Sequence, residues 1–243
     1  MKQSIFQITE NKPLTATVYR MVLAGDTAGI TTGQFVNILL DGLYLRRPIS
    51  VCDCTDGVLT LIYKVVGKGT AQMAAMTPGQ TLDVLTQLGN GYDMTKAGDH
   101  PLLLGGGVGM PPLYMLARLL REQGKAVSVV LGFNTKDEVF CEQDFKDLGC
   151  DVTVTTADGS YGVKGFVTDA LPSDYSYFYT CGPEPMLRAV YKATATSGQF
   201  SFEERMGCGF GACMGCSCKV ITGYKRICKD GPVLEKEEIL WDA

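Results

Sequence analysis

The stretch PLLLGGGVGMPP, residues 101–112, reads as a strand, a sharp turn and the start of a helix. Pro101–Leu104 is the short apolar run of a strand buried on both faces. Gly105, Gly106, Gly107 and Gly109 let the chain turn tightly and let a pyrophosphate approach a helix N-terminus. The pattern departs from G-x-G-x-x-G, because Pro112 stands at the last glycine position. Alone, such a turn is as compatible with plain structure as with binding. Two further segments strengthen the binding reading. DGSYG at 158–162 and CGPEPM at 181–186 each follow an expected strand, and doubly wound sheets bind ligands at the carboxyl ends of their strands. Cys181 and Gly182 thereby become candidates, with a buried strand-end thiol as the plainer account of Cys181.

Downstream, helix and strand alternate. Helices are expected at 111–123, 137–148, 166–171 and 184–196, and strands at 126–132, 151–155, 177–181 and 199–203. This alternation predicts a parallel, doubly wound sheet. Upstream, residues 16–23, 34–40, 48–52, 58–66 and 80–85 are rich in Val, Ile, Leu, Thr and Tyr, with Gly or Asp between them. Only 70–76 reads as helix, so this part predicts a small antiparallel barrel. From Met206 the regularity stops, and glycine and cysteine dominate to Cys228. The expected fold class is a β barrel plus an α/β domain. The expected divisions are 1–97, 98–203 and a small C-terminal segment, 204–243.

Composition narrows the chemistry. The 243 residues are 46% hydrophobic and carry a formal net charge of −4. No Lys/Arg run is long enough to grip a phosphate backbone, which argues against nucleic acid. No apolar stretch approaches the ~18 residues of a membrane span, and the first residues lack the apolar core of a signal peptide. The expected location is the cytoplasm. There is one histidine, His100, in a polar turn. Catalysis by a histidine acid or base is therefore disfavoured, whereas hydride and electron transfer need none.

Ten cysteines in such a compartment do not read as disulfides. Five of them fall between 208 and 228, in MGCGFGACMGCSCKVITGYKRICKDGP. The spacing C-x4-C-x2-C, then a distant fourth cysteine, is that of plant-type 2Fe–2S sites. Cys208, Cys213 and Cys216 come from one glycine-rich loop and Cys228 from beyond it. Glycines there let backbone amides point at sulfur. A four-cysteine zinc site, the alternative, ordinarily uses two close C-x2-C pairs. Cys218 is a fifth candidate, two residues past Cys216 and expected to point elsewhere.

The barrel carries a third constellation. Arg47-Pro48-Ile49-Ser50 offers a guanidinium fork and a hydroxyl, and Ile62-Tyr63-Lys64 leads to Gly69 and Thr70 at a helix start, where free amides favour an anion. The spacing is not that of a P-loop. The R-P-x-S and G-x-G-T pattern resembles the FAD-binding barrel of the ferredoxin–NADP reductase family, with Ile49 where that family usually has an aromatic. The DGSYG and CGPEPM segments resemble its nicotinamide domain, in which the cysteine of C-G-P lies close to the nicotinamide. The loop 134–138 has two acids and one base, which favours NAD over NADP.

Over nearly its full length the chain resembles the electron-transfer subunits of B-type dihydroorotate dehydrogenases. The resemblance rests on LRRPIS, GNGYD at 89–93, GGGVGMPPLY, DGSYG and above all EERMGCGFGACMGC. It implies FAD, a 2Fe–2S cluster and NAD. It also implies a separate FMN-containing subunit that oxidises dihydroorotate in pyrimidine synthesis, and a dimer of heterodimers. A (β/α)8 barrel needs about 250 residues, more than this chain leaves unassigned. The other reading is a reductase subunit serving a sulfite reductase, a hydrogenase or a ferredoxin.

Overall fold

The computed structural model describes residues 1–241. Six strands close into an antiparallel barrel in the order β1-β2-β5-β4-β3-β6: β1 Lys2–Pro13, β2 Val18–Ala24, β3 Phe35–Ile38, β4 Arg47–Thr55, β5 Val58–Lys64 and β6 Thr81–Leu88. The inward faces of all six meet in one core that includes Phe6, Met21, Val36, Val51, Leu61, Tyr63 and Val84. Each such side chain contributes roughly 1.5–3 kcal/mol of burial. The first strand was absent from the expectation. Of its twelve residues only Phe6 and Ile8 are buried, so a mostly polar run conceals it. One short helix, α1 (Lys68–Ala74), follows β5.

The second layer is a seven-stranded sheet. Its strands are β7 Pro101–Gly106, β8 Ser128–Phe133, β9 Asp151–Thr156, β10 Val163–Lys164, β11 Tyr177–Cys181, β12 Gly198–Ser201 and β15 Val233–Glu235. They lie in the order β10-β9-β8-β7-β11-β12-β15. All neighbours are parallel except β12 and β15. The chain runs outward from β7 to β10 on one side and then restarts at β11 on the other. The switch point of the doubly wound sheet therefore lies between β7 and β11.

Helix α2 (Pro111–Glu122) starts on two prolines, which suit a first helical turn because they carry no N–H. It buries Leu113, Leu116, Ala117 and Leu120 and packs against the barrel at β4. Two ion pairs cross the same seam, Arg118 to Asp53 at 2.8 Å and Arg20 to Asp144 at 2.9 Å. Helix α3 (Glu142–Asp147) is shorter than expected, because a 3₁₀ turn at Lys136–Glu138 and a left-handed Cys141 precede it. The expected helix at 166–171 is a 3₁₀ turn, Val167–Ala170, and α4 is Glu184–Ala193.

The C-terminal segment is more regular than expected. It forms a hairpin, β13 Ser217–Val220 with β14 Gly223–Arg226, and then lends β15 to the large sheet. Its own apolar residues, Cys216, Val220, Ile227 and Cys228, are buried together with Phe35 and Leu88 of the barrel. The segment is thus built onto the barrel. Among the described residues, no helix is long and apolar enough to cross a membrane.

Candidate functional site

The cysteine loop is shaped by its glycines. Gly209 and Gly211 take φ of 78° and 90°, and Met214 joins them at 62°. These turns bring backbone N–H groups onto sulfur. The amides of Ala212 and Cys213 donate to Cys208 Sγ at 3.2 and 3.4 Å. Those of Gly215 and Cys228 donate to Cys213 Sγ at 3.5 Å and Cys216 Sγ at 3.4 Å. Burial works against ionisation of Cys208, but the amides of Phe210 and Cys213 outweigh it and bring its pKa down to about 6. Cys228 moves the other way, to about 12, through burial and the neighbouring Cys216.

Among the described residues, no three Cys, His, Asp or Glu side chains gather as a site for a single metal ion. The thiols instead form two pairs, Cys208 with Cys213 and Cys216 with Cys228, and Cys208 also faces Cys228. Two thiol pairs suit two irons, whereas zinc needs its four ligands around one point. Thiolates this close repel unless cations stand among them. The donor set therefore fits a 2Fe–2S cluster. Cys218 packs against the cluster that holds Cys216 and Cys228 and also lines the neighbouring cleft. Arg226 braces the loop, donating to the Gly211 carbonyl at 2.9 Å while held by Asp230 at 3.0 Å. The sequence reading missed Arg226. Its only signal was a basic residue between two ligands.

The flavin candidates lie on both sides of an opening in the barrel. Strands β4 and β5 pair only from Val51↔Leu61 onward. Arg47–Ser50 pair with β3 alone, and Ile62–Lys64 with β2 alone. Their facing main-chain edges are left to hydrogen-bond something else. A planar, amide-rich ring system meets that requirement, so the opening fits a flavin. Arg47 reaches across to α1 and lies on Gly69, where a Cβ would stand 2.2 Å from its Nε.

Several candidates offer less than their side chains promised. The Tyr63 ring is inside the barrel core, stacked on Tyr19 at 6.0 Å, with its hydroxyl donating to Asn11 at 3.0 Å. Ile62 is buried against the nucleotide domain, and Ile49 packs on the barrel core. Thr70 Oγ1 accepts from the amides of Val66 and Gly67 and so closes its own turn.

At the switch point the two predicted turns touch. A Cβ on Gly109 would lie 2.5 Å from Gly182 Cα, and one on Gly106 would lie 2.4 Å from Met186 Sδ. Gly105 backs onto Met110 in the same way, at 3.0 Å. Gly105 and Gly109 make room for backbone, and Gly106 for the Met186 side chain. Gly107 differs: its φ is 51° and nothing stands within 4 Å of its missing side chain. It is the glycine that faces outward. Pro111 and Pro112 supply no N–H, and Leu113 N is used by Met110 O at 3.0 Å. The helix start is therefore a poorer anion cradle than the sequence suggested. Burial raises the pKa of the Cys181 thiol to about 12, against the lowering pull of its neighbour Ser201. The thiol is inert as a nucleophile near neutral pH.

A cleft of about 800 Å³ joins the three parts. Arg47 and Pro48 of the barrel, Gly182 and Glu184 of the sheet, and Met206 and Cys218 of the C-terminal segment all line it. This volume accommodates stacked ring systems.

A barrel open at one seam, a doubly wound sheet and a paired-thiol loop around one cleft define an electron-transfer protein of the ferredoxin–NADP reductase architecture. The chain matches the oxidoreductase NAD-binding domain over residues 103–192. It matches the iron–sulfur cluster binding domain of dihydroorotate dehydrogenase B over 203–240. It is 41% identical, over 99% of both chains, to the dihydroorotate dehydrogenase B (NAD(+)) electron transfer subunit of Geobacillus sp. strain WCH70. It is 43% identical to that of Fusobacterium nucleatum, over 96% of both. The solved NADH-dependent reduced ferredoxin-NADP oxidoreductase superposes with a TM-score of 0.88 at 31% identity, covering 98% of this chain and 90% of that one. A ferredoxin NADP+ reductase from Neisseria gonorrhoeae shares the fold at TM-score 0.69 and 16% identity, over 79% of this chain and 90% of that one. The chain belongs to the family of dihydroorotate dehydrogenase B electron transfer subunits.

Proposed function

We propose that this chain carries electrons from a dihydroorotate-oxidising partner subunit to NAD, through a 2Fe–2S cluster and FAD. The observation that carries this reading is the shared cleft, which brings residues of the flavin seam, the C-G-P turn and the cysteine segment to one space. When bound, the cluster and FAD supply one-electron uptake and the change from single electrons to a hydride. Dihydroorotate gives up two electrons and two protons. NAD takes both electrons and one proton, and the other proton goes to water.

The chain's residues hold and orient. Cys208, Cys213, Cys216 and Cys228 would hold the cluster through their four thiolates. Arg47 and Ser50 bind on one side of the seam. Ile62, Tyr63 and Lys64 contribute main chain on the other, and Gly69 and Thr70 shape the turn that seats Arg47. Pro48 and Ile49 set the wall of the seam. Gly107 admits the nicotinamide nucleotide. Gly105, Gly106, Gly109, Cys181 and Gly182 keep the two turns close enough to bind it. In this reading the oxidation of dihydroorotate belongs to the partner, as the likeness to electron transfer subunits supports.

The finer assignments are an FMN-containing partner, a dimer of heterodimers, a cytoplasmic location, and divisions at 1–97, 98–203 and 204–243. The third division shares its core with the barrel. The likeness to a ferredoxin-NADP oxidoreductase supports a second reading with ferredoxin as partner. Co-purification separates the two: a dihydroorotate-oxidising flavoprotein supports the first, and another redox protein the second. Purified chain with neither flavin nor iron–sulfur bands in its visible spectrum would defeat both.

A further inference from the structure

All four residues of β3 are buried. Val36 and Ile38 belong to the barrel core. Phe35 and Asn37 alternate to the outer face, and the C-terminal segment covers them. Phe35 packs in one cluster with Cys216 and Cys228. Asn37 Nδ2 donates to the Cys208 carbonyl at 3.2 Å, and its amide lies against Gly209, where a Cβ would stand 2.3 Å away. Phe35 thus shares a cluster with one thiol pair, and Asn37 bonds the main chain of a member of the other.

On the other side, Phe35 is directly opposite Ser50 across the ladder, and Asn37 is opposite Pro48. Opposed residues of antiparallel strands project on the same face, about 5 Å apart. Phe35 and Asn37 therefore lie beside the flavin segment on the face that the cysteine segment covers. Asn37 is 1% exposed and its Oδ1 has no partner. A buried amide with an orphan oxygen is destabilising, and a leucine would fill that slot without it. The bond to Cys208 is what the amide gains.

We infer that the outer face of β3, through Phe35 and Asn37, is the bridge that fixes the cluster loop against the flavin segment and carries electrons between them. The inference rests on the cluster and flavin reading above. Electron tunnelling weakens steeply with distance, and more steeply through gaps than through bonded or packed atoms. Each crossing carries one electron and no proton. Phe35 supplies packed contact to the Cys216–Cys228 pair, and Asn37 supplies a hydrogen-bonded path to Cys208.

The test uses the holoprotein carrying Asn37→Asp or Phe35→Leu, each near in shape to the original. Anaerobic stopped-flow mixing with NADH follows flavin and cluster bands separately. Iron content and the electron paramagnetic resonance line shape of the reduced cluster are measured beside it. In both variants flavin reduction should match the parent, while cluster reduction slows about tenfold or more, as small misplacements of reacting groups do. Asn37→Asp should also shift the resonance line shape, since the group bonded to a ligand cysteine has changed. Parent-like cluster reduction in both variants at full iron content would overturn the inference. So would loss of the cluster from both with flavin retained, which would leave β3 a purely structural support. A parent protein lacking cluster or flavin would instead refute the underlying reading, so the two failures are distinguishable.

Discussion

Cys208 and Cys228 show how the same side chain acquires opposite character from its surroundings. Backbone amides draw the Cys208 pKa down to about 6, while burial and a neighbouring thiol push Cys228 to about 12. In cluster-free protein near neutral pH, Cys208 should be alkylated at least about tenfold faster than Cys228, because the thiolate is the reactive form. Peptide mass spectrometry checks this, and equal rates would contradict it. The sign for stability follows. A thiol whose pKa is depressed on folding stabilises the fold above its unfolded value of about 8.5 and loses that contribution as pH falls through about 6. The cluster-free loop should therefore loosen on acidification, and acid-enhanced hydrogen exchange confined to 208–216 would report it. The ligand choice is also tested at single residues. Cys228→Ser should abolish the iron–sulfur bands and Cys218→Ser should leave them. Iron analysis giving the reverse pattern would move the fourth ligand to Cys218.

At the scale of elements, the turns after β7 and β11 act as one unit. A Cβ at position 109 would meet Gly182 Cα at 2.5 Å and Cys181 O at 2.6 Å, both main chain. Gly109→Ala should cost about 1–3 kcal/mol, as overpacking does, and should raise the KM for NADH with little change in flavin content. Thermal melting and steady-state kinetics measure the two. Gly69→Ala should do the opposite, displacing Arg47 and weakening FAD retention while nucleotide binding survives; gel filtration with flavin quantitation decides. Spacing told the sequence reader where such turns fall, because glycine and cysteine positions are set by backbone geometry. It did not tell which way side chains face. Tyr63 and Thr70 sit in the expected segments, yet one ring is in the barrel core and one hydroxyl closes its own turn. The break in pairing between β4 and β5 was illegible for the same reason, since pairing partners are distant in sequence. Asn37 left a faint trace as a polar residue within the apolar run GQFVNILL. The strand β1 was hidden because only Phe6 and Ile8 mark its inward face.

At the scale of the molecule, each part is incomplete without the others. The C-terminal segment borrows Phe35 and Leu88 for its core, and the sheet borrows β15 from that segment. The cluster loop also presents Phe210 and Met214, 45% and 55% exposed, on the surface around the exposed Cys213. Such side chains at a ligand-bearing tip suit docking to the electron donor. Phe210→Glu should therefore weaken assembly with the catalytic partner by about tenfold or more while NADH-dependent dye reduction stays intact. Analytical ultracentrifugation of the mixed subunits reads the first and steady-state assay the second. The central claim is that electrons leave a partner, pass this chain's cluster and flavin, and end on NAD. Dihydroorotate-driven NADH formation tests it most directly, measured for the chain alone, for the assembled complex and for the complex carrying Cys228→Ser. The account predicts NADH from the complete complex only. Turnover of dihydroorotate by the chain alone, or undiminished NADH formation by the cluster-deficient complex, would contradict it.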